Sequence, residues 1–448
     1  MSTLNDSQKI GLGGLVVNGR AYLCPACILM YYGIVNVLTG GAFPLAVLIA
    51  GICMIPTAIS YVKMSRVFPR GGSVFTYASA TMGPNLGFII GWLLVLDYTF
   101  LGVVCSLSSG IYINALIPAI PAWVGIVITV AIVTLLCYRG IKIATVFNTI
   151  SIIAPILMLI VSFVYMFKVI AEGGPDTTGT IFSAEALWND ELGDVSGLLT
   201  ACAFLCVLYV GFDAITTMGD ETRNPDKNIP RAVLIICLYA AISFTLVGYL
   251  MNCTWIYQPG TFDNPDTALT EFYEYIGAGW LNIIFVPVNT LCCVGCTITA
   301  VMAVTRILKN MGKNGFLPEK VFAYEHPKFH TPSRNVLIYG ALSLVSILFI
   351  GNLTALSNVA SFGCLLSFAA TNIAVFIYFW VQKKQRGGKA VFSYIILPFF
   401  AAALNIFLWL QLDNLARIIG CSWLVIGIII LAIGTKGFKV KKNVDLEA

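Results

Sequence analysis

Two acidic residues lie inside stretches that are otherwise apolar enough to cross a membrane. Asp213 and the helix-breaking Gly211 interrupt the run CAFLCVLYVGFDAITTMGDETRNP, residues 202–225, and Asp97 lies in GWLLVLDY, residues 91–98. A carboxyl group in hydrocarbon is costly and is a functional candidate by default. Either acid is suited to pair with a substrate ammonium group or to carry a proton. The alternatives are a buried acid bonded to nearby hydroxyls for Asp97, and an N-cap of the outgoing helix for Asp213.

A second interrupted run lies near the N-terminus, in GRAYLCPACILM, residues 19–30. Gly19 weakens this helix, and Pro25 removes one hydrogen bond and clashes with the preceding turn. Because every backbone group in hydrocarbon needs a partner, a helix break is tolerated only where it is buried or lines a wet cavity. Each break alone is explained by an ordinary kink. The pair, flanked by Arg20 and Asp213, favours a functional site.

Composition places these breaks in a membrane protein. The chain has 448 residues, of which 58% are hydrophobic and only 10% charged, against about 25% charged in soluble domains. A membrane-crossing helix needs about 20 apolar residues. Twelve such runs are centred near residues 26, 52, 98, 130, 157, 208, 243, 293, 343, 368, 401 and 425. The sequence therefore predicts an all-α, multi-pass protein embedded in the lipid bilayer of the cell membrane.

The distribution of charge predicts the orientation of these spans. All but three of the 26 Lys and Arg residues fall in the termini or in the loops after spans 2, 4, 6, 8 and 10. The loop after span 5 is acidic instead. The positive-inside rule then places both termini in the cytoplasm.

The two interrupted spans are numbers 1 and 6, five apart. Paired interrupted helices at matching positions are typical of inverted-repeat transporters, whose substrate site lies at the breaks near the bilayer midplane. The predicted divisions are a first repeat over 1–170, an acidic extracellular loop over 171–196, a second repeat over 197–382, and spans 11 and 12 with a cytoplasmic tail over 383–448.

Four motifs resemble the amino acid–polyamine–organocation (APC) superfamily of transporters. They are YVGFDAITTMGDETRNPDKNIPRA in and after span 6, VFPRGGSVFTYA after span 2, GWLLVLDY in span 3, and the loop TRILKNMGKNGFLPEKVFAYEHPKFHTPSRNV. Within the superfamily the chain is most similar to bacterial putrescine importers and amino acid permeases. The resemblance implies a leucine-transporter-like fold with a 5+5 inverted repeat, broken helices 1 and 6, and two extra C-terminal helices. It also implies secondary active transport by alternating access.

The resemblance places the substrate between spans 1, 3, 6, 8 and 10. It implies substrate contacts from the two breaks, from the acids and from aromatic residues beside them: Tyr22, Leu23, Cys24, Pro25, Asp97, Tyr98, Tyr209, Gly211, Phe212 and Asp213. Amino-acid carriers of this family have a glycine-rich break in span 1 whose N–H groups receive a carboxylate. Here Pro25 has no N–H and Leu23 adds bulk, so the break binds a carboxylate less well. This favours a substrate that is recognised mainly through an amine group, such as putrescine.

Two departures keep an amino acid permease or an amino acid/amine exchanger open as the alternative. Similar putrescine importers carry an acid where this chain has Met30, and Arg20 is suited to bind a substrate carboxylate. A span 5 lysine of some proton-coupled relatives is replaced by Pro155. In those relatives the lysine takes the place of a sodium ion, and we hypothesise that Arg20 supplies the fixed positive charge here. Arginine keeps its proton, so Asp97 or Asp213 would carry a coupled proton, and sodium coupling or exchange stays open.

The loop after span 6 carries a dense group of charges on the cytoplasmic side. Asp220, Glu221 and Arg223 are predicted to form an inner gate with Arg66 and Arg70 after span 2, the alternative being solvated loop charge.

Other classes of function fit the sequence less well. All fourteen cysteines lie in or beside apolar runs, two pairs with CxxC spacing, which is typical of small buried residues rather than a disulfide framework or metal site. No clustered His or metal ligands suggest an enzyme, and no cofactor or nucleic-acid partner is expected. A channel needs a continuous polar lining, and a sensor needs a signalling domain. The expected partner is a small amine or amino acid, and the sequence predicts no particular oligomeric state.

Overall fold

The structure is a computed structural model that describes residues 9–23, 26–69, 73–139, 141–174, 176–329 and 331–437, without the side chains of residues 141–150 and Asp220. Three predicted site residues, Cys24, Pro25 and Arg70, lie outside the described residues, as does the side chain of Asp220.

The described chain is helical, and its long helices match the predicted spans. Eleven are long and apolar enough to cross a membrane, and the ninth span is a shorter apolar helix. In chain order, spans 1 to 12 are Leu12–Met30, Phe43–Val67, Pro84–Leu116, Ala122–Arg139, Ser151–Glu172, Val195–Gly219, Pro225–Thr254, Leu281–Lys313, Ser333–Phe349, Leu353–Gln382, Gly388–Trp409 and Asn414–Gly434. The prediction of an all-α membrane protein with twelve spans is confirmed. The helix of span 5 begins earlier, as Ile141–Glu172.

Short helices complete the connections. Val74–Met82 precedes span 3, Pro265–Thr267 and Ala268–Tyr275 lie between spans 7 and 8, and Glu319–Phe322 follows span 8. We call the face that carries the loops after spans 2, 4, 6, 8 and 10 the even-loop side, and the opposite face the odd-loop side.

Spans 1 and 6 are both interrupted, as the sequence predicts. Span 1 is divided into Leu12–Tyr22 and Cys27–Met30, and the helix Tyr32–Thr39 follows it directly. Span 6 is divided into 6a, Val195–Leu205, a turn of 3-10 helix, Cys206–Tyr209, and 6b, Ala214–Glu221. Between the last two, Val210 is extended and Gly211 has φ +145°, a conformation that glycine adopts far more readily than other residues.

The interrupted spans are surrounded by the most enclosed helices. Span 3 packs against spans 8 and 10, and span 2 packs against span 7. In the most apolar stretch of span 3, 89% of the residues are buried, compared with 22% in span 12. Polar groups placed on spans 3, 6, 8 and 10 are therefore shielded from lipid.

Candidate functional site

The breaks of spans 1 and 6 lie in direct contact. A Cβ atom on Gly211 would lie only 3.1 Å from Tyr22 Cδ1, 3.2 Å from Leu23 Cδ2 and 3.3 Å from the carbonyl oxygen of Gly19. Gly211 is therefore required both by its backbone conformation and by this close approach. The structure brings together the three predicted site residues Tyr22, Leu23 and Gly211.

Asp213 connects the span 6 break to span 3. Its Oδ1 accepts a hydrogen bond from the N–H of Gly211 at 2.9 Å, and its Oδ2 accepts one from the hydroxyl of Tyr98 at 2.7 Å. Asp213 occupies the N-cap position of helix 6b, yet within the described part of that helix its side chain forms no cap hydrogen bond. The carboxylate stabilises the break itself and joins it to span 3.

Asp97 is buried and has no polar partner in the described part of the chain. Its side chain is 0% exposed, and among the described residues neither carboxyl oxygen has a hydrogen-bond partner. Span 10 approaches closely here, because a Cβ on Gly363 would lie 3.0 Å from the Asp97 nitrogen. Cys364 lies within electrostatic range of both Asp97 and Asp213. An unpaired buried carboxylate is strongly unfavourable, so Asp97 requires either a proton or a cation.

A thiol in span 8 satisfies the backbone freed at the span 1 break. The Sγ of Cys296 donates to the carbonyl oxygen of Tyr22 at 2.9 Å. The ring of Tyr22 packs edge-on against that of Tyr98, with centroids 5.9 Å apart. Cys296 was not among the predicted site residues, and its CxxC spacing with Cys293 was the only sequence signal for it.

Arg20 faces span 7 rather than the two acids. Its Nη2 donates to the hydroxyl of Tyr239 at 3.1 Å, and its guanidinium carbon lies 4.2 Å from the centre of the same ring. Among the described residues its Nε has no partner and Arg20 forms no ion pair. Pairing of Arg20 with Asp97 or Asp213 is not observed, and Tyr239 was not expected from the sequence.

The predicted aromatic residues separate into two groups. Phe212 stacks on Phe368 of span 10 at 5.3 Å and meets Tyr61 of span 2 edge-on at 5.4 Å, so it lies in a layer of rings joining spans 2, 6 and 10. Tyr209 instead donates its hydroxyl to the carbonyl oxygen of Val47 at 2.7 Å. Tyr209 thus packs against span 2, away from the two carboxyl groups.

An ion pair connects helix 6b to span 8 on the even-loop side. Nη2 of Arg306 lies 2.6 Å from Oε1 of Glu221. The backbone of Ile10 also accepts from the N–H of Arg223 and donates to the carbonyl oxygen of Glu221, both at 2.8 Å. Of the predicted gate residues, Glu221 and Arg223 take part in these contacts, whereas Arg66 is exposed. Arg306 was not predicted as a gate residue, since the expected partners of these charges were Arg66 and Arg70 after span 2.

The fold and site together define a class of protein. Two interrupted helices that meet deep in a multi-pass bundle, beside buried carboxyl groups, are typical of secondary transporters.

The comparisons identify the family. Residues 2–444 match the amino acid permease family, and the chain belongs to that family. It is 32% identical over 435 residues to the low-affinity putrescine importer PlaP of Escherichia coli K12, covering 96% of this chain and 94% of that protein. It is 25% identical over 453 residues to the branched-chain amino acid permease BcaP of Bacillus subtilis 168, covering 95% and 90% of the two chains. It is 27% identical over 429 residues to the methylthioribose transporter of the same bacterium, covering 87% and 85% of the two chains.

The chain is a multi-pass membrane transporter of the APC superfamily and not an enzyme.

Proposed function

We propose that this transporter moves an amine-bearing small molecule, a polyamine such as putrescine or a related amine, across the cytoplasmic membrane by alternating access. The observation that carries the proposal is the buried carboxyl group of Asp97, which lacks a partner among the described residues. A substrate ammonium group supplies the cation that this carboxylate needs. The similarity to a putrescine importer over nearly the full length of both chains supports the same substrate class.

Asp97 and Asp213 have different roles in this proposal. Asp213 already accepts two hydrogen bonds, which stabilise its charged form. Asp97 accepts none from the described residues, so it is the group that exchanges a proton for a substrate cation. Tyr22 and Tyr98 lie close to both carboxyl groups, and Phe212 directly precedes Asp213 in the chain. Aromatic rings bind organic cations favourably.

Proton coupling or exchange fits the span 1 break better than sodium coupling. A sodium ion at a helix break is coordinated by freed backbone carbonyl groups. Here the carbonyl of Tyr22 already accepts a thiol hydrogen bond from Cys296. We propose that Arg20, stacked on Tyr239, supplies a fixed positive charge beside the break.

The even-loop side is proposed to be cytoplasmic, with both termini there, because it carries most of the Lys and Arg residues. Residues 1–170 and 197–382 are then the two inverted halves, separated by an extracellular loop over 171–196. The ion pair between Glu221 and Arg306 becomes part of the inner gate.

Uptake of radiolabelled putrescine into proteoliposomes, with and without an inward proton gradient, tests the proposal. We expect saturable uptake that unlabelled diamines inhibit and that the gradient accelerates. The Asp213→Asn variant should lose it. If only amino acids compete, the amine assignment is wrong and the amino acid permease alternative is correct. Non-saturable flux would contradict a carrier mechanism altogether.

A further inference from the structure

A group of sulfur atoms lies where spans 1, 3 and 8 meet. The Sγ atoms of Cys27, Cys105 and Cys293 all lie within 4.8 Å of one another, and all three residues are buried. Cys27 is disulfide-bonded, whereas Cys105 and Cys293 carry free thiols. The two free thiols thus face each other across the interface of spans 3 and 8.

These two thiols differ from their neighbours in what they contact. The thiols of Cys292 and Cys296 donate to backbone carbonyl oxygens at 3.1 and 2.9 Å, as small buried residues commonly do. The Sγ of Cys293 donates to Oδ1 of Asn289 at 3.9 Å, and its other polar neighbours are the side chains of Cys105, Ser108 and Ser109. The polar neighbours of Cys105 are the side chains of Cys293, Cys296 and Thr297.

We propose that Cys105 and Cys293 form a two-thiolate site for a soft, thiophilic metal ion such as Cu⁺. Thiolate ligands select soft ions of this kind. Two metal–sulfur bonds of about 2.3 Å in a line span about 4.6 Å, and the sulfur atoms of the cluster lie no more than 4.8 Å apart. A structural zinc site needs four ligands, and the described cluster offers three sulfur atoms at most.

Binding involves no electron transfer. As the two copper–sulfur bonds form, each thiol loses its proton to solvent and the copper remains Cu⁺. The site uses neither Asp97 nor Asp213 and does not depend on the identity of the transported substrate. The bound ion joins span 3 to span 8 one helical turn from Cys296, whose thiol contacts the span 1 break.

Anaerobic titration of the purified full chain with Cu⁺, in competition with bicinchoninate, tests the site. We expect one Cu⁺ per wild-type chain. Cys105→Ser and Cys293→Ser should each weaken binding at least about tenfold, since loss of even a supporting group at a metal site commonly costs 10–100-fold. Cys137→Ser, which removes a buried free thiol from span 4, is the matched control and should bind as the wild type does.

Unchanged affinity in the Cys105→Ser/Cys293→Ser double variant would overturn the proposal. X-ray absorption of the copper-loaded wild-type chain gives a test that requires no variant to fold. Two sulfur neighbours are expected around the copper. Oxygen or nitrogen neighbours instead of sulfur, or an absence of stoichiometric binding, would equally exclude the site.

Discussion

Replacing the two buried acids by their amides should separate transport from stability. Asp213→Asn keeps one side-chain oxygen and replaces the other by an NH₂ group. Asp213 accepts two hydrogen bonds, from the N–H of Gly211 and the hydroxyl of Tyr98, so one of these donors loses its acceptor. Losing a buried hydrogen bond to a charged group costs about 1.5–3 kcal/mol of folding free energy. The folded-to-unfolded ratio should therefore fall roughly 10- to 150-fold.

Asp97→Asn removes no hydrogen bond within the described residues. Its free energy of unfolding should change by about 1 kcal/mol or less, since the exchange breaks none of the hydrogen bonds of the described residues and a typical one contributes about 1 kcal/mol. Gradient-driven uptake should nevertheless be lost, because an amide neither carries a proton nor neutralises an ammonium group. We thus expect a variant that is stable but inactive at position 97, and one that is both unstable and inactive at position 213.

The assay pairs equilibrium unfolding in detergent with amine uptake by proteoliposomes at matched protein content. Wild-type uptake and wild-type dependence on the proton gradient in Asp97→Asn would refute the assignment of Asp97. Wild-type stability of Asp213→Asn would show that the hydrogen bond lost with the second carboxylate oxygen does not stabilise the break.

Three further predictions concern the break, the gate and the packing. Gly211→Ala places a side chain at φ +145° and within 3.1 Å of a neighbouring ring; this should cost about 1–3 kcal/mol, measured as a lower unfolding midpoint together with reduced uptake. The side chains of Glu221 and Arg306 are about one quarter exposed, so a double-mutant cycle of Glu221→Gln and Arg306→Gln should give a coupling free energy of about 1 kcal/mol or less. Each single variant should increase the access of thiol reagents to cysteines introduced on the even-loop side. Unchanged access would exclude a gating role for the ion pair. Tyr209→Phe should lose about 1 kcal/mol of stability with its hydrogen bond to span 2 while the KM for substrate stays that of the wild type; a raised KM would instead place Tyr209 in the substrate site.

Much of the architecture follows from the sequence because membrane helices depend on local properties. A run of about 20 apolar residues specifies a span without reference to the rest of the chain. Gly211 interrupts span 6 where expected, since its effect on the backbone is also local. Asp97 and Asp213 could be recognised for the same reason, because an acid inside an apolar run is evident from the sequence alone.

What the sequence could not specify is the direction in which a side chain points. Arg20 and Asp213 flank the two breaks, yet Arg20 stacks on Tyr239 of span 7. Tyr209 lies within the predicted site region but faces span 2. Glu221 pairs with Arg306, 85 positions away. Each of these outcomes depends on the rotation of one helix against another, which apolar spacing within a single span does not determine.

The two carboxyl groups are closed off on both sides by contacts of comparable strength. Asp97 and Asp213 are 0% and 1% exposed. On the odd-loop side the hydroxyls of Tyr31 and Ser357 form a 2.7 Å hydrogen bond between spans 1 and 10, with a net contribution of about 1 kcal/mol.

On the even-loop side Phe212 makes two ring contacts, each worth about 0.5–1.5 kcal/mol beyond burial. Opening either side therefore costs on the order of a few kcal/mol, which is within the range that differential binding of a substrate or proton can supply. In the proposed mechanism the charge of Asp97 changes as a substrate cation replaces its proton, which would make Asp97 the group that decides which side opens.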